Sequence, residues 1–306
     1  DNFIKFLIDY SPNCIYHLAA DSNTLSTNQF EVLENNRRVF GMILNVISRD
    51  RFIEDNKRGF KRIMSSRNLD NDVEDEVVDK LVNTVDKAMP KLTHRYYKWK
   101  ANQFGQTRLD WWDRNAPLPH SSENLIKWSD AKDIILDSFS SFHPEISNLA
   151  ELFFKNNWID ASLRKGKASG AFAHPSVPSL HPYILVNYQG KIRDVMTLAH
   201  ELGHGVHQIL AGKNGLLMAE TPLTLAETAS VFGEMLVFRK LLDESSIAQK
   251  KQLLSSKIED MLNTVARQIG FHQFEVKFHE ARIKSELTPE EISNIWMETQ
   301  SHAVGP

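Results

Sequence analysis

Residues 200–204 read His-Glu-Leu-Gly-His. On a helix, His200 and His204 stand one turn apart on the same face. Two imidazoles placed this way can converge on one tetrahedral zinc ion at about 2.0–2.1 Å. Glu201 lies roughly 100° around the helix from His200. It need not be a ligand; it can hold and deprotonate a water bound to the same ion. Zinc lowers the pKa of such a water from about 15.7 towards about 7, so a carboxylate is a sufficient base at neutral pH. The spacing alone also arises by chance, and a polar helix face would simply be solvated. Here the three polar residues sit between the apolar flanks Thr197-Leu198-Ala199 and Leu202-Gly203, which points to a buried or cleft-facing site.

A catalytic zinc needs a third protein ligand and one open position. Glu220, Glu227 and Glu234 are the downstream candidates. Thr221-Pro222 reads as a helix start, which leaves Glu220 in the loop before it. Glu227 follows within Leu225-Ala-Glu-Thr-Ala-Ser230, whose small residues let one helix approach another closely. Thr224-x-x-Glu227 has the form of a capping box, but the better start at Thr221-Pro222 favours Glu227 as the ligand. Glu234, two turns on, reads as a partner behind a ligand or as a solvated side chain. His207 lies about 10 Å along the axis from His200, too far for the same ion. Asp194 reads as the cap of the motif helix.

The elements that must carry these residues are mostly helical. Apolar stripes mark helices over 28–48, from a cap at Asn71 or Asp72 to Pro90, from Thr93 to Gly105, and from Ser129-Asp130. Further helices open at His143-Pro144-Glu145, cover 195–210, run from Thr221 to about Leu242, and extend from Ser246 through Ile269. Thr288-Pro289-Glu290-Glu291 opens the last, with a cap, an N1 proline and acids at the positive end. Residues 106–128 read as loop. Only Gly170–Ala173 and Tyr183–Tyr188 read as strands. Tyr183–Tyr188 could accept an extended peptide by edge addition or be an inner strand.

Composition narrows the partners. The 306 residues carry a net charge of −3, with 42% hydrophobic and 25% charged residues, a soluble globular balance. No electrostatic case exists for nucleic acid or an anionic membrane as partner. The basic, aromatic run His94–Lys100 fits one amphipathic helix. Cys14 is the only cysteine; it reads as a packed residue and excludes thiolate zinc sites and internal disulfides. No stretch reaches the roughly 18 apolar residues of a membrane span, and no signal peptide is visible. The first residue is Asp1, not Met, so the sequence reads as a fragment or a processed form.

The run His-Glu-Leu-Gly-His-Gly-Val-His207 followed by Leu-Ala-Glu-Thr-Ala-Ser230 resembles the oligoendopeptidase F group of the thimet oligopeptidase-like zinc metallopeptidases. Ser65–Leu69, Leu92–Tyr97, Trp112–Pro117, Gly170–Pro175 and Phe278–Arg282 extend the resemblance over roughly residues 50–300. It implies a mainly α, multi-helix peptidase fold with a small β-sheet next to the active-site helix. It implies one Zn2+ per chain held by His200, His204 and Glu227, with Glu201 as general base. It implies a cytoplasmic endopeptidase that hydrolyses short oligopeptides by attack of a metal-bound water. His174, His181, Tyr183 and Tyr188 are candidate substrate contacts. The expected division is an N-terminal helical region, 1–145, and a zinc-binding catalytic region, 146–306, truncated at both ends relative to the full enzyme. The family's His- and Tyr-rich segment, which stabilises the transition state, is expected beyond Pro306. The alternative is a catalytically silent zinc- and peptide-binding protein of the same fold.

Overall fold

A computed structural model describes residues 27–110, 113–119 and 125–305. Asp1, Cys14, Trp112 and Pro306 therefore lie outside the described residues. The helices are α1 (Thr27–Lys57), α2 (Ser65–Asp70), α3 (Asp75–Ala88), α4 (Thr93–Gln103), α5 (Trp128–Phe142), α6 (Pro144–Lys155), α7 (Ile192–Gly212), α8 (Leu223–Glu244), α9 (Ile247–Lys284) and α10 (Pro289–Val304). The strands are β1 (Ile159–Asp160), β2 (Phe172–His174) and β3 (Tyr183–Leu185). The mainly helical fold with a small sheet is as expected. None of the described helices is long and apolar enough to cross a membrane.

The chain divides into two compact units, Asp1–Pro119 with Ser255–Pro306, and His120–Leu254. These cut the chain at other places than the expected 1–145 and 146–306. The physical reason is local: His143 alone separates α5 from α6. The two helices bury Ala131, Ile135, Phe139, Ala150 and Phe153 in one core, so no boundary can fall between them.

In the first unit, Leu33 of α1 packs with Phe274 and Phe278 of α9 and with Ile292 and Trp296 of α10. Thr288 and Glu291 form the reciprocal cap that opens α10: the Glu291 N–H donates to Thr288 Oγ1 at 3.2 Å, and the Thr288 N–H donates to Glu291 Oε2 at 2.7 Å. The expected cap of α3 at Asn71 or Asp72 is not used. Asp72 takes a positive φ of 55°, and Glu74 precedes the helix instead. Asp75 receives hydrogen bonds from Ser65 and Asn68 of α2, an element too short to show a period.

The second unit is built around α7. Val195, Leu198, Ala199, Leu202 and Val206 are buried along one face, the stripe a core-facing helix requires. Against that face lie Ile135 and Phe139 of α5, Phe153 of α6, Ile184 of β3 and Val237 of α8. The sheet order is β1-β3-β2, with β1 parallel and β2 antiparallel to β3. Both edges of β3 are therefore occupied, and it is an inner strand. Edge addition of a peptide to β3 is ruled out, because its hydrogen-bonding groups are shared between two neighbours.

Candidate metal centre

The motif helix begins at Ile192, three residues before the expected start at Val195. Lys191 is its N-cap, and Asp194, three residues on, accepts from the Gln189 N–H at 2.8 Å and the Lys191 N–H at 3.0 Å. Asp194 therefore closes the first turn from inside the helix rather than from the cap position. Two turns later His200 and His204 project from one side, their ring centroids 4.9 Å apart and their planes at 82°.

Helix α8 crosses α7 at very short range. A Cβ on Gly203 would lie 2.5 Å from the Ala229 carbonyl oxygen, and one on Gly233 would lie 3.1 Å from that of Ala199. This crossing brings Glu227 to the histidines. Glu227 Oε2 is 3.1 Å from His200 Nε2 and 3.3 Å from His204 Nε2. Three ligands of a tetrahedral zinc at about 2.0–2.1 Å stand roughly 3.3 Å apart, so the two separations fit such an ion. The group His200, His204, Glu227 offers three ligand atoms all within 4.8 Å of one another. Two imidazoles and one carboxylate are a donor set that zinc takes.

The surroundings hold these groups in place. Ser230, fully buried, places its hydroxyl 2.7 Å from Glu227 Oε2. Glu234 Oε2 lies 3.4 Å from His200 Nδ1. His204 bonds the Ala226 backbone. Burial lowers the pKa of His200, but the Glu234 bond and the charges of Glu201, Glu227 and Glu234 outweigh it and raise it overall. Burial lowers that of His204.

Glu201 faces the sheet side and is 6% exposed. Burial pushes its carboxyl up to about 7, the charge of His200 opposes this, Glu227 adds to it, and a hydrogen bond from the Ala173 backbone opposes it again. The Ala173 carbonyl in turn accepts from Gln208 Nε2 at 3.1 Å. Strand β2 is thereby tied to α7 through one residue.

The other expected contacts have different partners. His174 and Tyr183 are cross-strand neighbours, both exposed. His174 Nδ1 accepts from the Ser176 N–H at 3.0 Å. His181 stacks on Trp158 at 3.8 Å and 8°, with Tyr183 4.4 Å away on a tilted plane. The Tyr188 hydroxyl donates to the Ile126 carbonyl at 2.8 Å, and burial raises its pKa to about 12. Tyr188 is therefore a strut between β3 and the start of α5, not a donor aimed at the histidines. Glu220 is exposed in the loop before α8. Sequence reasoning missed Gly203, Ser230 and Gly233. Their signal is nonetheless there: Ala226, Ala229, Ser230 and Gly233 repeat at helical spacing, as do Ala199 and Gly203.

Residues 28–306 match the sequence profile of Peptidase family M3. The chain is 26% identical over 304 residues to Oligopeptidase PepF of Bacillus subtilis, covering 96% of this chain and 44% of that protein. It is 30% identical over 277 residues to an Oligoendopeptidase F homolog of Borreliella burgdorferi, covering 89% of this chain and 46% of that one. The chain thus spans less than half the length of these relatives. The solved structure of Pz peptidase A with an inhibitor superposes with a TM-score of 0.74, covering 99% of this chain and 53% of that one. At 18% identity that likeness is one of fold.

Proposed function

Since the chain belongs to Peptidase family M3, we propose that it carries the metal-binding core of a zinc-dependent endopeptidase that hydrolyses short oligopeptides in the cytoplasm. The observation that supports this best is the approach of Glu227 Oε2 to both imidazoles, at 3.1 and 3.3 Å. His200, His204 and Glu227 would hold one Zn2+. Bound there, zinc would supply Lewis acidity towards the scissile carbonyl and acidify water.

This chain's own residues do the rest. Glu201 takes the proton of the attacking water and returns it to the leaving amine nitrogen. Its position beside the ligand face and its bond to the Ala173 backbone support that role. Glu234 orients the His200 ring from behind, as the 3.4 Å contact supports. His174, His181 and Tyr183 are the side chains we assign to peptide contact, on the exposure of His174 and Tyr183 along β2 and β3. The names of the relatives support peptides as substrates.

Metal analysis combined with cleavage of a quenched fluorescent peptide tests this reading. Wild type should bind one zinc and cleave; Glu201→Gln should bind zinc and not cleave. Equal cleavage by both would sink the mechanism. Zinc binding without cleavage by the full-length wild type would favour the silent peptide-binding alternative.

A further inference from the structure

We propose that Gly203 is a positioning residue of the metal centre, acting through Ser230 on Glu227. The inference rests on the functional reading above and extends it to two residues outside the ligand set. Glycine weakens a helix interior relative to alanine, so on local grounds alanine would serve better at this position. The packing requires glycine. A Cβ here would lie 2.5 Å from the Ala229 carbonyl oxygen, 2.7 Å from the Ser230 Cα and 3.0 Å from the Ala229 carbonyl carbon. All three are backbone atoms, so no change of rotamer relieves the contact. Ordinary van der Waals separation is about 3.5 Å. A methyl group at 203 would therefore drive α8 away from α7 by roughly 1 Å at the crossing.

The crossing point is also the point from which Glu227 is aimed. Ser230, whose Cα abuts Gly203, places its hydroxyl 2.7 Å from Glu227 Oε2. That same oxygen faces both imidazoles. Helix α8 also presents Glu234 to His200 Nδ1 and the Ala226 backbone to His204. Every group that α8 offers to the centre thus depends on one interhelical distance. Metal–ligand distances tolerate only about ±0.2 Å, so a withdrawal of about 1 Å displaces the third ligand and loosens its hold on the ion while the two histidines keep their spacing on α7. Gly205, two residues on, provides the contrast. The three atoms nearest a Cβ there all belong to the Phe153 ring of α6, the closest at 2.5 Å, and none to α8.

The test is zinc affinity by competition with a chromophoric chelator, alongside circular dichroism and urea unfolding. Gly203→Ala should remain folded and bind zinc about 10–100-fold more weakly than wild type. Ser230→Ala introduces no clash and should weaken zinc about tenfold, which keeps the inference open to test should Gly203→Ala fail to fold. Gly205→Ala should lose stability and keep wild-type zinc affinity. Wild-type affinity in folded Gly203→Ala, or in Ser230→Ala, would overturn the inference and leave the functional reading standing. An equal loss of affinity in Gly205→Ala would overturn it too, since general packing would then explain the effect. Absence of zinc binding by the wild type would overturn the functional reading as well.

Discussion

Glu234 reaches His200 from the side opposite Glu227: its Oε2 stands 3.4 Å from Nδ1, while Glu227 Oε2 stands 3.1 Å from Nε2. One imidazole is thus held between two carboxylates that are seven residues, about two turns, apart on α8. In the proposed centre the outer carboxylate would orient the ring and leave Nε2 free for a metal. Glu234→Gln should weaken zinc affinity about 10–100-fold, and Glu227→Ala should weaken it by more. Chelator competition on the two variants checks the order. The reverse order would make Glu234 the ligand.

Glu201→Gln keeps the size of the side chain and removes its basicity. A positioned general base contributes about 10²–10⁴-fold to rate. We expect kcat to fall by that range while zinc content stays at wild type. Metal analysis of the same preparation used for kinetics separates the two effects.

Lys167 is 2% exposed and gathers the ends of β1 and β3. Its Nζ donates to the carbonyls of Asp160 at 2.9 Å, Ser162 at 3.0 Å and Val186 at 2.6 Å, and lies 3.2 Å from Asp160 Oδ1. Lys167→Met would leave the buried Val186 carbonyl without this donor, while the Asp160 carbonyl keeps the Val186 N–H at 3.0 Å. The expected cost is about 1–3 kcal/mol, measured by urea unfolding. Lys167→Arg should recover part of it.

Lys100 is buried between the Glu259 carboxylate and the Arg114 carbonyl, each 2.6 Å from Nζ, and Tyr96 donates to the same carboxylate. Removing only the lysine strands a charge. Lys100→Met should cost about 3–5 kcal/mol. Lys100→Met with Glu259→Leu should cost less than the single change, because the stranded charge is gone. A larger loss in the double variant would contradict this account.

Asp160 carries a carboxyl lowered to about 2, chiefly by its bonds from Arg164; burial opposes this, and the bond and charge of Lys167 add to the lowering. Its unfolded value is about 3.9. A depressed carboxylate stabilises the fold above the unfolded pKa, and that contribution is lost as pH falls through the folded one. Thermal midpoints should therefore fall between about pH 4 and pH 2. Asp75 and Asp86, also depressed by hydrogen bonds to their carboxylates, add to the same slope. Asp160→Asn should make the slope shallower.

Long, periodic elements are legible in the amino-acid sequence alone. The stripe from Val195 to Val206 defines α7, Thr288-Pro289 opens α10, and Pro144 opens α6 with His143 as its cap. Glu227 is legible for a steric reason, since its small neighbours are what a close helix crossing needs. The failures have physical causes too. Strand β1 is two residues long and depends on pairing with β3, so nothing local announces it. Tyr183–Tyr188 reads as one strand, but the ladder ends at Leu185 and the hydroxyl of Tyr188 goes to Ile126. Which tyrosine faces a site depends on partners more than 60 residues away, which no local window holds. The importance of Gly203 is hidden for the same reason: the backbone it must clear belongs to another helix, 26 residues further along the chain.

The candidate ligands do not share one environment. The side chain of Glu227 is 59% exposed, while those of His200 and His204 are 27% and 17% exposed. The centre therefore has an exposed rim and a half-buried floor. This bears on kinetics more than on affinity. Incoming metal would meet the hydrated carboxylate first and shed its water stepwise onto the imidazoles. A chelator arriving from the rim could strip the ion by the reverse route with no helix unfolding, so loss of the ion would follow chelator concentration, not the rate of global opening.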